Sequence, residues 1–146
     1  METLNFEIDI KSSPEEIWKI LWDEETYKVW TQFFSKDSVM KTDWKIGGKT
    51  YFLDQKGNGM VSTISTLKKP FEIVFRHLGW VENNVETTKT KEVEEWSGME
   101  EKYFLSEREC FTHLKVIVHS PNEYHDMMKT SFTRGLEMVK MLSERK

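Results

Sequence analysis

The chain has 146 residues and a formal charge of −4, with acidic and basic residues mixed along its length. This length favours one domain, which we expect to span residues 1–146. The lack of a basic stripe argues against a nucleic-acid partner, and the lone cysteine excludes a disulfide within the chain and a cysteine-based zinc site.

The first predicted elements are a strand and two helices. Residues 4–10 (LNFEIDI) alternate apolar and polar side chains, which is typical of a half-buried strand. In the run SSPEEIWKIL, a serine can cap a helix that begins near Pro14, and the acidic pair Glu15 and Glu16 suits its positive end. A second short helix is predicted over residues 24–33.

The middle of the chain predicts six further strands. Turn signals such as IGG, KGNG and KKP separate most of the β-branched and aromatic runs. Because most connections are too short for a parallel crossover, the predicted sheet is antiparallel. The six strands are predicted at residues 38–44, 49–54, 59–67, 71–78, 102–107 and 111–119. The polar segment 81–95 between them is predicted to be a loop.

A long helix is predicted over residues 122–145. Its apolar stripe consists of Tyr124, Met128, Phe132, Leu136 and Val139. No other predicted element is long enough to cover the apolar face of a seven-stranded sheet. The predicted fold is α+β, in the order β-α-α-β6-α, with a seven-stranded curved antiparallel sheet wrapped around the C-terminal helix. Gly47 and Gly48 lie where a strand must bend, as a sheet that forms a cavity requires.

Three motifs stand in a specific order along the chain: SSPEEIWKIL, then WKIGGKTYF, then KPFEIVF. Together they resemble the SRPBCC superfamily, which is the START-like, helix-grip group. Within it, the chain is similar to the family of the activator of the heat-shock-protein-90 ATPase, in its single-domain bacterial form. The resemblance covers nearly the whole chain and implies the same helix-grip fold.

The resemblance also implies a range of functions. Members of the superfamily bind lipid-like, polyketide or other apolar ligands between sheet and helix, and some act on them chemically. The eukaryotic activator contacts a chaperone through a domain of this family. No shared catalytic motif is implied, so the resemblance assigns no catalytic residue.

Apolar and aromatic side chains form the candidate ligand cavity. The predicted lining consists of Trp30, Phe34, Tyr51, Leu53, Met60, Ile64, Ile73, Phe75, His77, Tyr103, Leu114, Val116, Met128, Phe132 and Leu136. Such walls suit an apolar ligand, and methionine suits an adaptable wall. On the sequence alone, the same set would serve a solid core equally well. Tyr51, His77 and Tyr103 are the polar groups that could orient a ligand.

Few residues suggest chemistry. The four histidines show no two-histidine helical spacing, so we expect neither a metal nor a cofactor. The adjacent carboxylates Glu100 and Glu101 are not predicted to form an acid–base pair, because sequence neighbours point apart on a strand. A solvated face is predicted for them. His77 alternates with apolar residues, so it is either a bonded core histidine or a handle for a ligand.

Residues 80–96 form a segment that is longer and more charged than a hairpin turn needs. It either covers a cavity mouth or is a solvated loop. The sequence begins without a basic, apolar leader and has no run approaching about 20 apolar residues. With one cysteine, it fits a reducing compartment, so we expect a cytoplasmic protein without a membrane span.

Three functions remain open at this point. The preferred one is binding of a small hydrophobic ligand, lipid-like or aromatic, in a cavity between sheet and helix, without catalysis. The second is a protein-interaction module, either co-chaperone-like or forming a homodimer. The third is an enzyme that acts on an apolar substrate in the cavity.

Overall fold

The computed structural model describes residues 2–145, except for the side chain of Trp96. The elements in chain order are β1 (Glu2–Ile10), α1 (Pro14–Trp22), α2 (Glu24–Trp30), β2 (Val39–Thr42), β3 (Lys49–Leu53), β4 (Gly59–Lys68), β5 (Glu72–Glu82), β6 (Val85–Thr87), α3 (Lys91–Trp96), β7 (Glu100–Glu107), β8 (Thr112–Ser120) and α4 (His125–Glu144). A single 3₁₀ turn, Asn122–Tyr124, leads into α4. Within residues 2–145, no helix is both long and apolar enough to cross a membrane.

The first helix begins where the sequence predicts it. The Ser13 hydroxyl accepts a hydrogen bond from the backbone N–H of Glu16 at 3.2 Å, and Pro14 occupies the first turn. Asp23 ends α1 with an extended backbone and also precedes α2. One residue therefore separates two helices, and their apolar sides turn towards the same core.

The sheet is antiparallel. Its strand order is β1-β8-β7-β5-β4-β3-β2, and β6 pairs with β5 outside this path. Register shifts between Val61 and Ser62 and between Ile64 and Thr66 interrupt the pairing of β4 with β5. Such bulges bend a strand and increase its twist. Gly47 lies beside the second irregularity, with φ at 83° and its N–H donating to the Ile64 carbonyl at 2.9 Å.

The strand count differs from the prediction: the described chain has eight strands, whereas the sequence predicted seven. The segment predicted to be a loop continues β5 to Glu82, turns at Asn83 and Asn84, and forms β6. Both asparagines have positive φ, at 49° and 66°, which is the geometry of a tight hairpin turn. The sequence did not predict this hairpin, because the segment is polar and β6, with three residues, is too short to show an alternating pattern.

The long helix α4 packs against β1, α1 and α2. Its buried side chains Phe132, Leu136 and Val139 join one core cluster with the inner faces of the central strands. A close approach occurs at Gly135, where a Cβ would lie 2.7 Å from the Trp30 carbonyl oxygen. The glycine therefore lets α2 and α4 meet backbone to backbone. The helix-grip architecture predicted from the sequence is confirmed.

Candidate functional site

A cavity of about 270 Å³ lies between the inner face of the sheet, the end of α2 and the first half of α4. Its walls are mainly aromatic and thioether side chains, with a few hydroxyls and two carboxyls. The lining consists of Tyr27, Trp30, Thr31, Phe34, Ser35, Ser38, Phe52, Leu53, Asp54, Asn58, Gly59, Met60, Glu101, Tyr103, Met127, Met128 and Phe132. We call this space the aromatic cavity.

Two of the aromatic walls, Trp30 and Phe132, are held by contacts with neighbouring groups. The Trp30 indole N–H donates to the Leu21 carbonyl at 2.9 Å, which ties the ring to the end of α1. The Phe132 ring lies against Phe34 edge to face at 4.8 Å, and stacks on Phe6 at 5.1 Å. These contacts give this part of the cavity a defined shape, because neither Trp30 nor Phe132 can turn without losing a partner.

One carboxyl group, that of Glu101, faces this apolar interior. In the sheet register Glu101 pairs with Phe75 on one side and Val118 on the other, and both of these belong to the core. Directly opposed residues share a face of the sheet, so Glu101 points inward with Tyr103. The Tyr103 hydroxyl donates to Glu101 Oε2 at 2.8 Å.

The prediction of a solvated face for Glu100 and Glu101 was wrong for Glu101. The two side chains do point apart, as expected: Glu100 lies outside and pairs with Lys102 at 3.6 Å. Because Glu100 points outward, Glu101 must point towards the core. The negative charge of both residues had suggested that both face solvent. Burial raises the pKa of the Glu101 carboxyl to about 7, although the hydrogen bond from Tyr103 opposes this.

Two phenols accompany this carboxyl. Burial raises the pKa of Tyr103, and the neighbouring Glu101 carboxyl raises it further. The pKa of Tyr27 is raised for the same two reasons, again with burial as the larger cause. Both phenols therefore stay protonated at neutral pH. The Tyr103 O–H already donates to Glu101, and neither phenol is available as a base.

A second, larger hollow of about 560 Å³ lies near the end of β5 and under α3. It is lined by Met60, His77, Trp80, Glu92, Glu95, Met99, His119, Ser120, Pro121, Glu123, Tyr124, Met127 and Met128. Met60, Met127 and Met128 line both spaces, so three flexible thioethers separate the hollow from the aromatic cavity. Methionine changes rotamer easily, so the boundary between the two spaces is adaptable.

His77 lies in the wall of the hollow and is almost fully buried. Its Nδ1 shares a hydrogen bond with the Ser62 hydroxyl at 2.6 Å. Burial, and to a smaller extent the neighbouring His119, lower the pKa of His77 to about 4, so the imidazole is neutral at pH 7. The hydrogen bond to Ser62 agrees with the interpretation of His77 as a bonded core histidine, and its role as a handle for a ligand stays a prediction.

The predicted lining residues separate into four groups. Seven line the aromatic cavity: Trp30, Phe34, Leu53, Met60, Tyr103, Met128 and Phe132. His77 lines the larger hollow. Six lie in the packed core: Ile64, Ile73, Phe75, Leu114, Val116 and Leu136. Tyr51 lies on the other face of β3, where its hydroxyl donates to Glu86 at 2.7 Å.

Three lining residues of the aromatic cavity were not predicted from the sequence: Tyr27, Phe52 and Glu101. Phe52 stands on the inner phase of β3, with its ring 5.0 Å from that of Phe75. The run TYFL is apolar on both phases, so alternation alone could not decide which phase faces inward. For Tyr27, the available signal was its position one turn before Trp30 on α2.

The segment 80–96, predicted to be a lid or a solvated loop, has structure of its own. Thr90 caps α3, because its hydroxyl accepts from the backbone N–H of Val93 at 3.2 Å. Val93 is fully buried and anchors the helix to the body. Trp80, Glu92 and Glu95 line the larger hollow, so this segment covers the hollow and not the aromatic cavity. Among residues 2–145, no three His, Cys, Asp or Glu side chains are grouped so that they could hold a metal ion.

Comparison with known proteins gives one family and many similar folds. The family model described as Activator of Hsp90 ATPase homolog 1-like protein matches residues 11–138. No functionally curated protein matches the sequence.

Three solved structures illustrate the likeness. The Aha1 dimer from Colwellia psychrerythraea has a TM-score of 0.73 and 20% identity, covering 99% of this chain and 97% of that chain. A protein from Mesorhizobium loti has a TM-score of 0.73 and 12% identity, covering 97% and 96%. A protein from Chromobacterium violaceum has a TM-score of 0.69 and 14% identity, covering all of both chains. At these identities the likeness establishes the fold.

Proposed function

Because the chain belongs to the Activator of Hsp90 ATPase homolog 1-like family, we propose that it uses its helix-grip fold to bind a small apolar ligand in the aromatic cavity. The observation that carries the proposal is the cavity itself, about 270 Å³ walled by rings and thioethers. An engineered apolar cavity of roughly 150 Å³ is enough to hold benzene. Apolar space of this kind favours an apolar occupant, because its walls otherwise lack contacts on one side.

The proposal is of binding without catalysis. The described lining holds one carboxyl with a strongly shifted pKa, that of Glu101. The phenols of Tyr27 and Tyr103 stay protonated, so neither can serve as a second proton acceptor. One carboxyl with no second proton acceptor beside it is compatible with binding and does not by itself define a reaction. We place the protein in the cytoplasm as part of the same proposal.

Methionine methyl groups make the proposal testable by NMR. With ¹³C-methyl methionine labelling, a neutral probe such as indole should shift the signals of Met60 and Met128, which line the cavity, but not that of Met99, which lines the larger hollow and not the cavity. The Met141 signal should stay in place, because that residue lies on the outer side of α4, 50% exposed. Shifts at Met141 alone, or no shifts, would contradict binding in the cavity.

A cavity-blocking variant supplies the matched control. Met128→Trp puts a large ring into the aromatic cavity, whereas Met141→Trp adds the same ring to the exposed side of the same helix. The first variant should abolish indole binding and the second should leave it unchanged. Equal binding by both variants would show that indole sits elsewhere.

A homodimer is the second candidate, and the observation that favours it comes from a relative. The Colwellia psychrerythraea protein is described as a dimer. In the described chain, β1 pairs with β8 and with no other strand, so its outer edge is available. Light scattering over a range of concentrations tests this. A chaperone contact stays a prediction from the family resemblance.

A further inference from the structure

The ionisable groups that could charge the aromatic cavity at neutral pH are all acidic. Its described lining includes the carboxyls of Asp54 and Glu101, and no Lys, Arg or His. The Asp54 carboxylate is engaged in its own turn, where Oδ1 accepts from the backbone N–H groups of Lys56 and Asn58 at 2.8 and 3.0 Å. Glu101 is therefore the carboxyl that is open to a ligand.

Glu101 is only partly satisfied by the protein. The Tyr103 hydroxyl donates to one of its oxygens, Oε2. Within the described chain, the ion pairs include no lysine, arginine or histidine at Glu101. A carboxylate can accept about four hydrogen bonds. A buried carboxylate without a cation is costly, so a positive group beside it would lower the free energy of this site.

The rings around Glu101 favour the same kind of ligand. Six aromatic side chains line the cavity: Tyr27, Trp30, Phe34, Phe52, Tyr103 and Phe132. The face of an aromatic ring carries negative electrostatic potential and attracts ammonium groups, most strongly in a desolvated site. Rings and a carboxylate that line one cavity are complementary to an organic cation, and they would repel an organic anion.

We propose that the aromatic cavity binds a protonated amine carried on an apolar body, with the ammonium group at Glu101 and the apolar body against the rings. The inference rests on the proposed function and deepens it by naming the chemical class of the ligand. An ammonium group donates to the free oxygen of Glu101, while the Tyr103 hydroxyl holds the other oxygen in place. Tyr103 is thus a positioning residue.

The proposal has a pH signature. The titratable groups that face the Glu101 carboxyl are the phenols of Tyr103, on its own strand, and Tyr27, on α2, and the Asp54 carboxyl lies further along the lining. The neighbours from β5, β8 and α4 are uncharged: Phe75, Val118 and methionines. The raised pKa of Glu101, about 7, means that roughly half of the free protein is protonated at neutral pH. An amine prefers the carboxylate form. Its affinity should therefore fall about tenfold between pH 8 and pH 6, and binding at pH 7 should release protons.

Three compounds with one body and different head groups test the inference: 3-phenylpropylamine, 3-phenylpropanol and 3-phenylpropanoate. Calorimetry at pH 8 should show the amine binding at least tenfold more tightly than the alcohol, and the acid most weakly. Glu101→Gln should remove the advantage of the amine over the alcohol. Glu100→Gln, which changes the outward neighbour, should preserve it.

The outcomes separate the inference from the proposed function. If the amine and alcohol bind equally, or if Glu101→Gln leaves the preference intact, the amine proposal is overturned while the apolar cavity stands. If none of the three compounds binds and indole also fails to shift the cavity methionines, the proposed function fails as well. A preference that does not weaken between pH 8 and pH 6 would also overturn the role of Glu101.

Discussion

Replacing Glu101 with glutamine should change how the stability of the protein depends on pH. In the folded protein burial raises the pKa of this carboxyl to about 7, compared with 4.5 as its ordinary value. The folded state therefore holds the proton more tightly than the unfolded state does. The stability that this carboxyl contributes is complete below pH 4.5 and is lost as the pH rises through 7.

The size of the effect follows from the two pKa values. Between pH 5 and pH 8.5, ionisation of the buried carboxyl costs the wild-type protein at most about 2–3 kcal/mol. Glu101 is partly accessible through the cavity, and solvent screening reduces this figure, so we expect about 1–3 kcal/mol. Glutamine has a similar shape, accepts the hydrogen bond from Tyr103 and does not ionise. The variant should therefore gain stability relative to the wild type by this amount as the pH rises.

Urea denaturation of both proteins at pH 5 and pH 8.5 measures the effect. The difference between variant and wild type is the informative quantity, because the titration of His77 and His113 is common to both proteins and cancels. For Glu100→Gln, on the outer face, the difference in stability from the wild type should be nearly the same at pH 5 and pH 8.5. A difference for Glu101→Gln that stays constant from pH 5 to pH 8.5 would refute the placement of this carboxyl inside the cavity.

Three further changes test other parts of the structure. Gly135→Ala should destabilise by about 1–3 kcal/mol in thermal unfolding, because the new Cβ would meet the Trp30 carbonyl; a neutral or stabilising result would contradict the close helix contact. Ser62→Ala leaves Nδ1 of buried His77 without its partner and should cost about 1–3 kcal/mol in urea, unlike a surface serine. Phe132→Ala should cost about 3–5 kcal/mol and admit a larger apolar probe; an unchanged probe size limit would count against this wall.

The fold was predictable wherever local pattern and turn chemistry agree. In β1 the strict alternation of residues 4–10 matched the observed pairing with β8, in which Phe6 lies opposite Val116. A capped helix start near Pro14 was visible in the sequence, since serine, proline and two glutamates occur in the order a helix start requires, although only the structure selects Ser13 over Ser12. Each of these signals is contained in a few consecutive residues, so the local sequence determines the structure there and distant contacts matter little.

The site was only partly predictable, for two physical reasons. In β3 both phases are apolar, and the choice between Tyr51 and Phe52 depends on which face the rest of the sheet buries. At Glu101, charge suggested solvent, but register places the side chain opposite Phe75. Sequence alone does not show register between distant strands. A buried carboxyl contradicts local expectation, and such contradictions are typical of functional sites.

The central claim is that the cavity holds a small ligand, and native mass spectrometry of the protein purified from its own host tests it most directly. The account predicts one bound small molecule per chain in the wild type and in Met141→Trp. Organic extraction should release it, and Met128→Trp should lack it. If wild type and Met128→Trp both show the mass of the bare chain, or both carry the same bound mass, the claim that the aromatic cavity is a binding site is contradicted.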